Sequence, residues 1–251
     1  LLVQRNCHKS VFHAIELAGA RPVFLTPEID DEMAVPTRIL QQTVKEAVSK
    51  YPTAKGIMLT YPNYYGHAAD LKPIVAEAHK HHMPVLVDEA HGAHFVLGRP
   101  FPKSALEAGA DAVVQSAHKT LPAMTMGSFL HLNSRRIDRD RLVHYLTVLQ
   151  SSSPSYPIMA SLDLARAYAE HLLKTNKMER AEKEITAMKE QFLNIAGVEI
   201  AEPADPLIWQ DPLKVCVRSK QGHSGYELKN IFEQNGVHPE LADERQVLFI
   251  L

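Results

Sequence analysis

The first half of the chain alternates between short apolar runs and longer stretches in which apolar residues recur every three or four positions. A short apolar run is typical of a buried strand, and the three-to-four spacing is typical of a helix with one buried face. The pattern predicts strands at 22–26, 56–61, 84–88 and 112–116 and helices at 38–50 and 70–82. Helices of this length between strands imply right-handed crossovers, so we expect a mainly parallel sheet sandwiched by helices.

Polar residues and glycines at the segment ends support these boundaries. Asp70 and Ser104 stand where helix N-caps belong. Gly109 follows the stretch SALEAGA, for which we predict a short helix that ends at this glycine.

The pattern changes after residue 136. Two long helices are predicted, at 137–150 and 157–196, and an apolar stripe along the second is suited to packing against a domain. A small α+β unit follows, with predicted strands at 214–218 and 246–251 around a helix at 224–235. We therefore predict an α/β fold in three regions: a large domain at 1–136, connecting helices at 137–196 and a small α+β domain at 197–251.

Composition limits the possible functions of the 251-residue chain. Apolar residues make up 45% and charged residues 22%, and the net charge of −2 gives no reason to expect a nucleic-acid partner. No apolar stretch approaches the roughly 20 residues of a membrane span. The two distant cysteines, Cys7 and Cys216, fit a reducing compartment. We expect a soluble cytoplasmic protein with no membrane partner, and the strand-like residues at both ends suggest a fragment of a longer polypeptide.

The stretch VLVDEAHGAH at 85–94 carries the first candidate chemistry. Its carboxylates and imidazoles fit three kinds of site: the D-E-A-H strand end of a helicase, a metal site, or the charge partner of a cofactor ring. The helicase interpretation requires a phosphate-binding loop with Gly-Lys, and that dipeptide does not occur in the sequence. The match to the helicase motif D-E-A-H is therefore coincidental.

The metal interpretation starts from the 14 histidines. The cluster HKHH at 79–82 is best explained as the solvated end of a helix, where positive charge suits the helix dipole. His91 and His94 beside Asp88 have a spacing that ligands can share, but neither H-E-x-x-H nor C-x-x-C is present. We predict no metal site.

The cofactor interpretation requires a lysine at a neighbouring strand end, and Lys119 follows the predicted strand at 112–116. A lysine near a buried strand end is costly unless it is neutral or covalently used, as in a Schiff base with pyridoxal phosphate. That cofactor also needs an acid at its ring nitrogen, which Asp88 supplies. Ser116, His118 and Thr120 are donors suited to a phosphate.

Several motifs now resemble the Orn/Lys/Arg decarboxylase family, in the family's order and over nearly the whole chain. They are RNCHKSVFHAIELAGARPVFL, TYPNYYG, VDEAHGAH, QSAHKTLPAMTMGSFLH and GYELKN…ELADERQVLFIL. The resemblance implies the aspartate-aminotransferase-like fold (fold type I), a pyridoxal 5'-phosphate cofactor and a homodimer or larger homo-oligomer. It also implies decarboxylation of lysine, ornithine or arginine to the corresponding amine, in polyamine biosynthesis.

The resemblance further implies a role for individual residues. Lys119 would carry the cofactor and Asp88 would pair with its ring nitrogen, while His8 and Ala90 would lie on opposite ring faces. The remaining candidates are His91 beside the ring, Ser116 and His118 near the phosphate, and Thr60 and Tyr64 along the pocket. The proton for the α-carbon would come from His118 or Lys119.

Other functions remain open. An aminotransferase or a carbon–sulfur lyase of the same fold would share Asp88 and Lys119, and an inactive truncated relative would keep the fold alone. The family's phosphate-binding turn lies upstream of RNCHKS, so we assign the activity to the longer protein. Acidic residues that might bind the basic end of the substrate are too many to rank: Glu16, Asp205, Asp211, Glu240 and Asp243.

Overall fold

A computed structural model describes residues 1–175 and 177–251. Its fourteen strands within these residues are β1 Leu2–Gln4, β2 Val23–Leu25, β3 Ile29–Asp30, β4 Val35–Pro36, β5 Ile57–Thr60, β6 His67–Ala68, β7 Val85–Asp88, β8 Ala112–Gln115, β9 Phe129–Leu132, β10 Val198–Ala201, β11 Trp209–Gln210, β12 Lys214–Ser219, β13 Leu241–Ala242 and β14 Val247–Ile250.

The eight α-helices of the described residues are α1 Lys9–Leu17, α2 Gln41–Lys50, α3 Lys72–Lys80, α4 Ala117–Thr120, α5 Arg139–Leu149, α6 Tyr156–Lys174, α7 Met178–Leu193 and α8 Gly225–Gln234. A 3-10 helix spans Ala93–Leu97. No helix in the part of the chain described here combines the length and apolar character needed to cross a bilayer.

The larger sheet has six strands in the order β2-β1-β5-β7-β8-β9. The first five are parallel, and only β9 at the edge is antiparallel to its neighbour β8. The predicted fold class, α/β with a mainly parallel sheet, is confirmed. The four predicted strands in this region are present, because each apolar run supplies residues that pack against the helices behind the sheet.

The two faces of this sheet differ. Side chains alternate along a strand, so Ile57 and Leu59 of β5 lie on the face that packs against α2 and α3, through residues such as Val48. The opposite face carries Met58 of β5 and Val114 of β8, which is 42% exposed. The strands are therefore buried on one face and line an open cavity on the other.

The smaller sheet is antiparallel, in the order β10-β12-β14-β13. One face packs against α7 and α8 through Phe192 and Leu228, and the other packs against the β3–β4 hairpin through Met33. Helix α8 begins with a capping box in which Ser224 and Glu227 bond each other's backbone N–H groups. The predicted α+β unit at the C-terminal end is present, and the domain boundaries at 136 and 196 stay a prediction.

Two helix predictions were wrong. The stretch SALEAGA forms hydrogen-bonded turns rather than a helix, because the Ala105 N–H and the Ser104 hydroxyl donate hydrogen bonds to the buried Glu89 carboxylate. The single helix predicted at 157–196 is two helices, α6 and α7, and Asn176 between them lies outside the described residues.

Several long-range contacts join residues beyond 200 to segments in the first 70 residues. Strand β11 pairs with β6, so Gln210 lies opposite His67. Arg38 forms an ion pair with Asp205 at 2.6 Å. The Arg245 guanidinium donates to the backbone carbonyl of Asp31 at 2.7 Å. These contacts place residues from beyond 200 next to the loop that follows β5.

Candidate active site

An open cavity of about 1010 Å³ lies at the carboxyl ends of β1, β5, β7 and β8. Ligands of open parallel sheets bind at this edge, because the loops there carry side chains from several strands. The cavity is lined by Leu1, Asn6, Cys7, His8, Ser10, Val11, Ala14, Ile15, Ala18, Ala20, Met58, Thr60, Pro62, Tyr64, Leu86, Asp88, Ala90, His91, Val114, Ser116 and Lys119. The lining is mostly apolar, and its polar groups come from the predicted motifs.

The structure brings most of the predicted site residues together. Of the seven predicted from the sequence, six line the cavity: Lys119, Asp88, His8, Ala90, His91 and Ser116. The weaker candidates Thr60 and Tyr64 line it as well. His118 is not among the lining residues, and its Nδ1–H donates to the Gly127 carbonyl at 2.9 Å.

Strand geometry places Asp88 and Lys119 at the ends of neighbouring strands. Asp88 is the last residue of β7, and Lys119 lies in the single turn of α4 that follows β8, the neighbouring parallel strand. One carboxylate oxygen of Asp88 accepts the N–H of Ala90 at 3.1 Å, which fixes the carboxylate at the strand end. The Asp88 carboxylate also helps burial to raise the pKa of the nearby Cys7 thiol.

His8 lines the same cavity and is the N-cap of α1. Its Nδ1 accepts the backbone N–H of Ser10 at 3.2 Å and lies 2.9 Å from the Ser10 hydroxyl. The imidazole is thereby oriented by the start of the helix. The stacking role predicted for His8 stays a prediction.

Of the ionisable groups in the site, His91 has the most strongly shifted pKa. Its Nε2 lies 3.2 Å from Lys119 Nζ, and its ring meets the Tyr64 ring edge-on at 4.7 Å between centroids. Burial, followed by the positive charges of Lys214 and Lys119, lowers the pKa of His91 to about 3. The imidazole is therefore neutral at physiological pH.

Two residues at this edge were not predicted as part of the site. Lys214, the first residue of β12, is 1% exposed, and its Nζ lies 3.3 Å from His91 Nδ1. Glu240, one of the unranked acids, accepts a hydrogen bond from the Tyr64 hydroxyl. Both reach the cavity wall from the region of the smaller sheet. They lie 123 and 176 positions from their partners His91 and Tyr64, so no local sequence pattern indicates these contacts.

Glu89 and His94, the other ionisable residues of the stretch VLVDEAHGAH, have structural roles. Glu89 is fully buried on the side away from the cavity, and burial raises its pKa to about 7. His94 is buried between the edges of Phe95 and Phe101, with its Nε2 3.0 Å from an Asp211 oxygen. Among residues 1–175 and 177–251, no group of three or more His, Cys, Asp or Glu side chains has a metal-binding arrangement.

The cavity fits pyridoxal phosphate. A primary amine, Lys119, and a carboxylate, Asp88, face the same space above an apolar floor that includes Leu86 and Val114. The Thr60 hydroxyl oxygen is buried and has no hydrogen-bond partner among the described residues, so a polar ligand can use it. This donor set matches a flat aromatic aldehyde with a basic ring nitrogen.

Solved structures share this architecture. The crystal structure of the Francisella novicida lysine decarboxylase LdcF superposes with a TM-score of 0.82 at 19% identity, over 99% of this chain and 42% of that one. The Escherichia coli constitutive lysine decarboxylase superposes with a TM-score of 0.76 at 18% identity, over 99% and 42%. The fold is that of the fold type I pyridoxal phosphate enzymes.

Sequence similarity identifies the family within that fold. The family described as "Orn/Lys/Arg decarboxylase, major domain" matches residues 1–213. The chain is 61% identical to the Bacillus subtilis protein called "Uncharacterized protein YaaO" and 36% identical to an arginine decarboxylase of the same organism, in each case over 100% of this chain and 52% of the relative. The chain belongs to the Orn/Lys/Arg decarboxylase family. It spans about half the length of these relatives.

Proposed function

We propose that the protein decarboxylates a basic amino acid, lysine, ornithine or arginine, with pyridoxal phosphate as cofactor. The observation that carries this proposal is the placement of Lys119 and Asp88 at neighbouring strand ends of one cavity, in a chain of the Orn/Lys/Arg decarboxylase family. Arginine and lysine decarboxylases among the relatives support a basic substrate.

The residues of the cavity divide the binding task. Lys119 would bind the cofactor aldehyde covalently, and the Asp88 carboxylate would accept a hydrogen bond from the protonated ring nitrogen. His8 and Ala90 would hold the two ring faces, with Ser116 near the phosphate. When bound, pyridoxal phosphate supplies an electron sink for the electron pair left behind by carbon dioxide.

The protein's own groups prepare this site. The N–H of Ala90 donates to the Asp88 carboxylate and holds it at the end of β7, where it would face the ring nitrogen of the cofactor. The apolar floor of Leu86 and Val114 restricts water in the cavity, so a charge interaction made by Asp88 there would be less screened than in solvent. Neutral His91 keeps the Lys119 amine in place without adding a charge.

The α-carbon needs a proton after carbon dioxide has departed, and His118 and Lys119 are the proposed donors. Because the Gly127 carbonyl can only accept, it holds a proton on His118 Nδ1 and leaves Nε2 as the nitrogen that exchanges protons. Lys119 already lines the cavity, so it needs no movement to reach the substrate. A role for His118 would require its ring to reach the cavity.

The structure narrows the acids available to the basic end of the substrate. Asp205 is paired with Arg38, Asp211 is buried beside His94, and Asp243 accepts from Tyr65. Glu240 contacts Tyr64, a lining residue of the cavity. We therefore propose Glu240 as the first acid to test for substrate charge recognition.

The test uses the full-length protein loaded with pyridoxal phosphate. Borohydride reduction followed by mass spectrometry is expected to place the adduct on Lys119, and Lys119→Ala should remove both the adduct and amine release. Lys103→Ala, at an exposed lysine outside the cavity, is the control and should keep both. An adduct on another lysine would refute the assignment of Lys119.

Product analysis tests the reaction itself. Carbon dioxide and an amine should appear from lysine, ornithine or arginine, whereas transamination without carbon dioxide would show an aminotransferase instead. Asp88→Asn should lower kcat by about tenfold to a hundredfold, as expected when a charge-assisted bond of about 1.5–3 kcal/mol is lost. Asp140→Asn on the exposed surface of α5 is the matched control and should leave kcat unchanged.

A further inference from the structure

Two strand ends meet at the point where the winding of the larger sheet changes direction. From β1 the chain moves to β2 on one side, and it then crosses to β5 on the other side of β1. In open parallel sheets, the crevice at such a switch point is where ligands bind. Gln4 ends β1 and Thr60 ends β5, so both residues stand at this crevice, and Thr60 also lines the cavity.

Gln4 is a buried amide that fixes two residues of the cavity wall. It is 3% exposed, its Oε1 accepts the backbone N–H of Thr60 at 3.1 Å, and its Nε2 donates to the side-chain oxygen of Asn6 at 2.9 Å. Regular pairing of β1 with β5 ends at Val3 and Met58, so the Gln4 side chain takes the place of a backbone carbonyl beyond that point. The backbone of Thr60 is therefore held at the crevice.

The hydroxyl of Thr60, in contrast to its backbone, is unpaired. Its oxygen is buried, and within the described part of the chain it has no hydrogen-bond partner. Buried hydroxyls are nearly always bonded, because an unmade bond leaves the loss of hydration uncompensated. The Thr60 hydroxyl therefore indicates a bond that a ligand of the cavity completes.

The side chain of Thr60 lies beside that of Asp88. The two residues are paired in register across β5 and β7, and neighbouring strands are about 4.8 Å apart. Met58 and Leu86, two positions earlier on the same strands, also line the cavity, so Thr60 and Asp88 share one face of the sheet. A ligand that contacts the Asp88 carboxylate is thus within about one strand spacing of Thr60.

We propose that Thr60 is a cofactor-binding residue whose hydroxyl donates a hydrogen bond to the phenolic oxygen of pyridoxal phosphate. The inference rests on the proposed function, in which Lys119 binds the aldehyde and Asp88 faces the ring nitrogen. The phenolic oxygen is then the remaining acceptor on the ring. Because the hydroxyl is unpaired in the free protein, its bond stabilises the complex with cofactor and not the free protein.

The first measurement is the affinity of the full-length, cofactor-free protein for pyridoxal phosphate, followed by absorbance. Thr60→Val should weaken binding about tenfold, which corresponds to the loss of one hydrogen bond of about 1.4 kcal/mol. Thr60→Ser keeps the hydroxyl and should restore the affinity of the parent. Thr186→Val, exposed on α7, is the matched control and should bind as the parent does. An affinity of Thr60→Val equal to that of the parent would overturn the proposal.

The second measurement identifies the acceptor by repeating both titrations with 3-deoxypyridoxal 5'-phosphate, which lacks the phenolic oxygen. The parent should bind this analogue no more tightly than Thr60→Val does, because neither protein can make the bond. A tenfold advantage of the parent with both compounds would place the hydroxyl on another atom and overturn the proposal. If circular dichroism shows that Thr60→Val does not fold, Thr60→Ala gives the same comparison.

The third measurement separates a binding role from a structural one through urea unfolding without cofactor. The Gln4 side chain is bonded in the free protein, so Gln4→Met should unfold at a lower urea concentration than the parent. The Thr60 hydroxyl is not, so Thr60→Val should unfold at the same or a higher concentration. A decrease in folded Thr60→Val that matches that of Gln4→Met would overturn the proposal.

The outcomes separate this proposal from the proposed function. A borohydride adduct on Lys119 together with unchanged cofactor affinity in Thr60→Val would overturn the role of Thr60 alone. An adduct on Lys119 together with transamination in place of carbon dioxide release would overturn the proposed decarboxylation, and the Thr60 titrations would still stand. A parent protein that binds no pyridoxal phosphate would overturn both.

Discussion

The buried carboxylate of Glu89 is expected to make the stability of this protein depend on pH. Glu89 is 0% exposed and accepts hydrogen bonds from the Ala105 N–H, the Ser104 hydroxyl and the Gln115 amide. Burial outweighs these donors and raises its pKa from 4.5 to about 7. The folded protein therefore holds a proton on Glu89 up to a higher pH than the unfolded chain does.

The magnitude follows from the two pKa values. Between pH 4.5 and about 7 the folded state binds more protons than the unfolded state, so the free energy of unfolding falls as pH rises. A tenfold change in an acid dissociation constant corresponds to about 1.4 kcal/mol, so the full loss amounts to roughly 3 kcal/mol. It is complete once pH exceeds the folded pKa.

The assay is urea unfolding of the parent protein and Glu89→Gln at pH values from 5 to 8. Glutamine does not titrate, so the stability difference between the two proteins should shrink by roughly 3 kcal/mol as pH rises. Taking the difference cancels the pH dependence of every other group. Glu46→Gln, exposed on α2, is the matched control and should show a flat difference. A flat difference for Glu89→Gln would refute the reasoning.

Three further predictions concern the loop that follows β5 and the strand β6 after it. Gly66 has a φ of +87° and no room for a methyl group beside Lys214. Gly66→Ala should therefore lower the free energy of unfolding by about 1–3 kcal/mol in urea titrations, and an unchanged free energy would contradict this. Burial lowers the pKa of His67 to about 4, so stability should be lost as pH falls from 6.5 towards 4. His67→Gln should abolish that loss in acid titrations. Tyr65→Phe removes a 2.7 Å bond to Asp243 and should cost about 1 kcal/mol in thermal unfolding, with an equal melting temperature as the opposing result.

The sheet and the central pair of the candidate site were predictable because both depend on local patterns. Apolar runs indicated the parallel strands, and parallel strands end at one edge, so Asp88 and Lys119 were expected to meet there. The antiparallel edge strand β9 was missed, since Phe129–Leu132 is only four residues long and a histidine interrupts its apolar residues.

The contacts made across the chain were not predictable. Lys214 is 123 positions from His91, and nothing in the residues around either one indicates the other. The role of Glu89 depends on which side of the sheet its side chain faces. That side follows from where β7 ends, and the letters D-E-A-H do not reveal it. The turn at Ala105 likewise follows from a carboxylate 16 positions earlier.

The hydrogen bonds between the loop after β5 and the end of the chain have a consequence for the order in which this structure forms during synthesis. Tyr64 and Tyr65 bond Glu240 and Asp243, partners that lie 176 and 178 positions later in the chain. During synthesis from the N-terminus, the parallel sheet is translated long before these partners exist. The cavity wall at Tyr64 is therefore complete only after Glu240 has left the ribosome. An aldehyde cofactor that arrived before that point would meet an incomplete site.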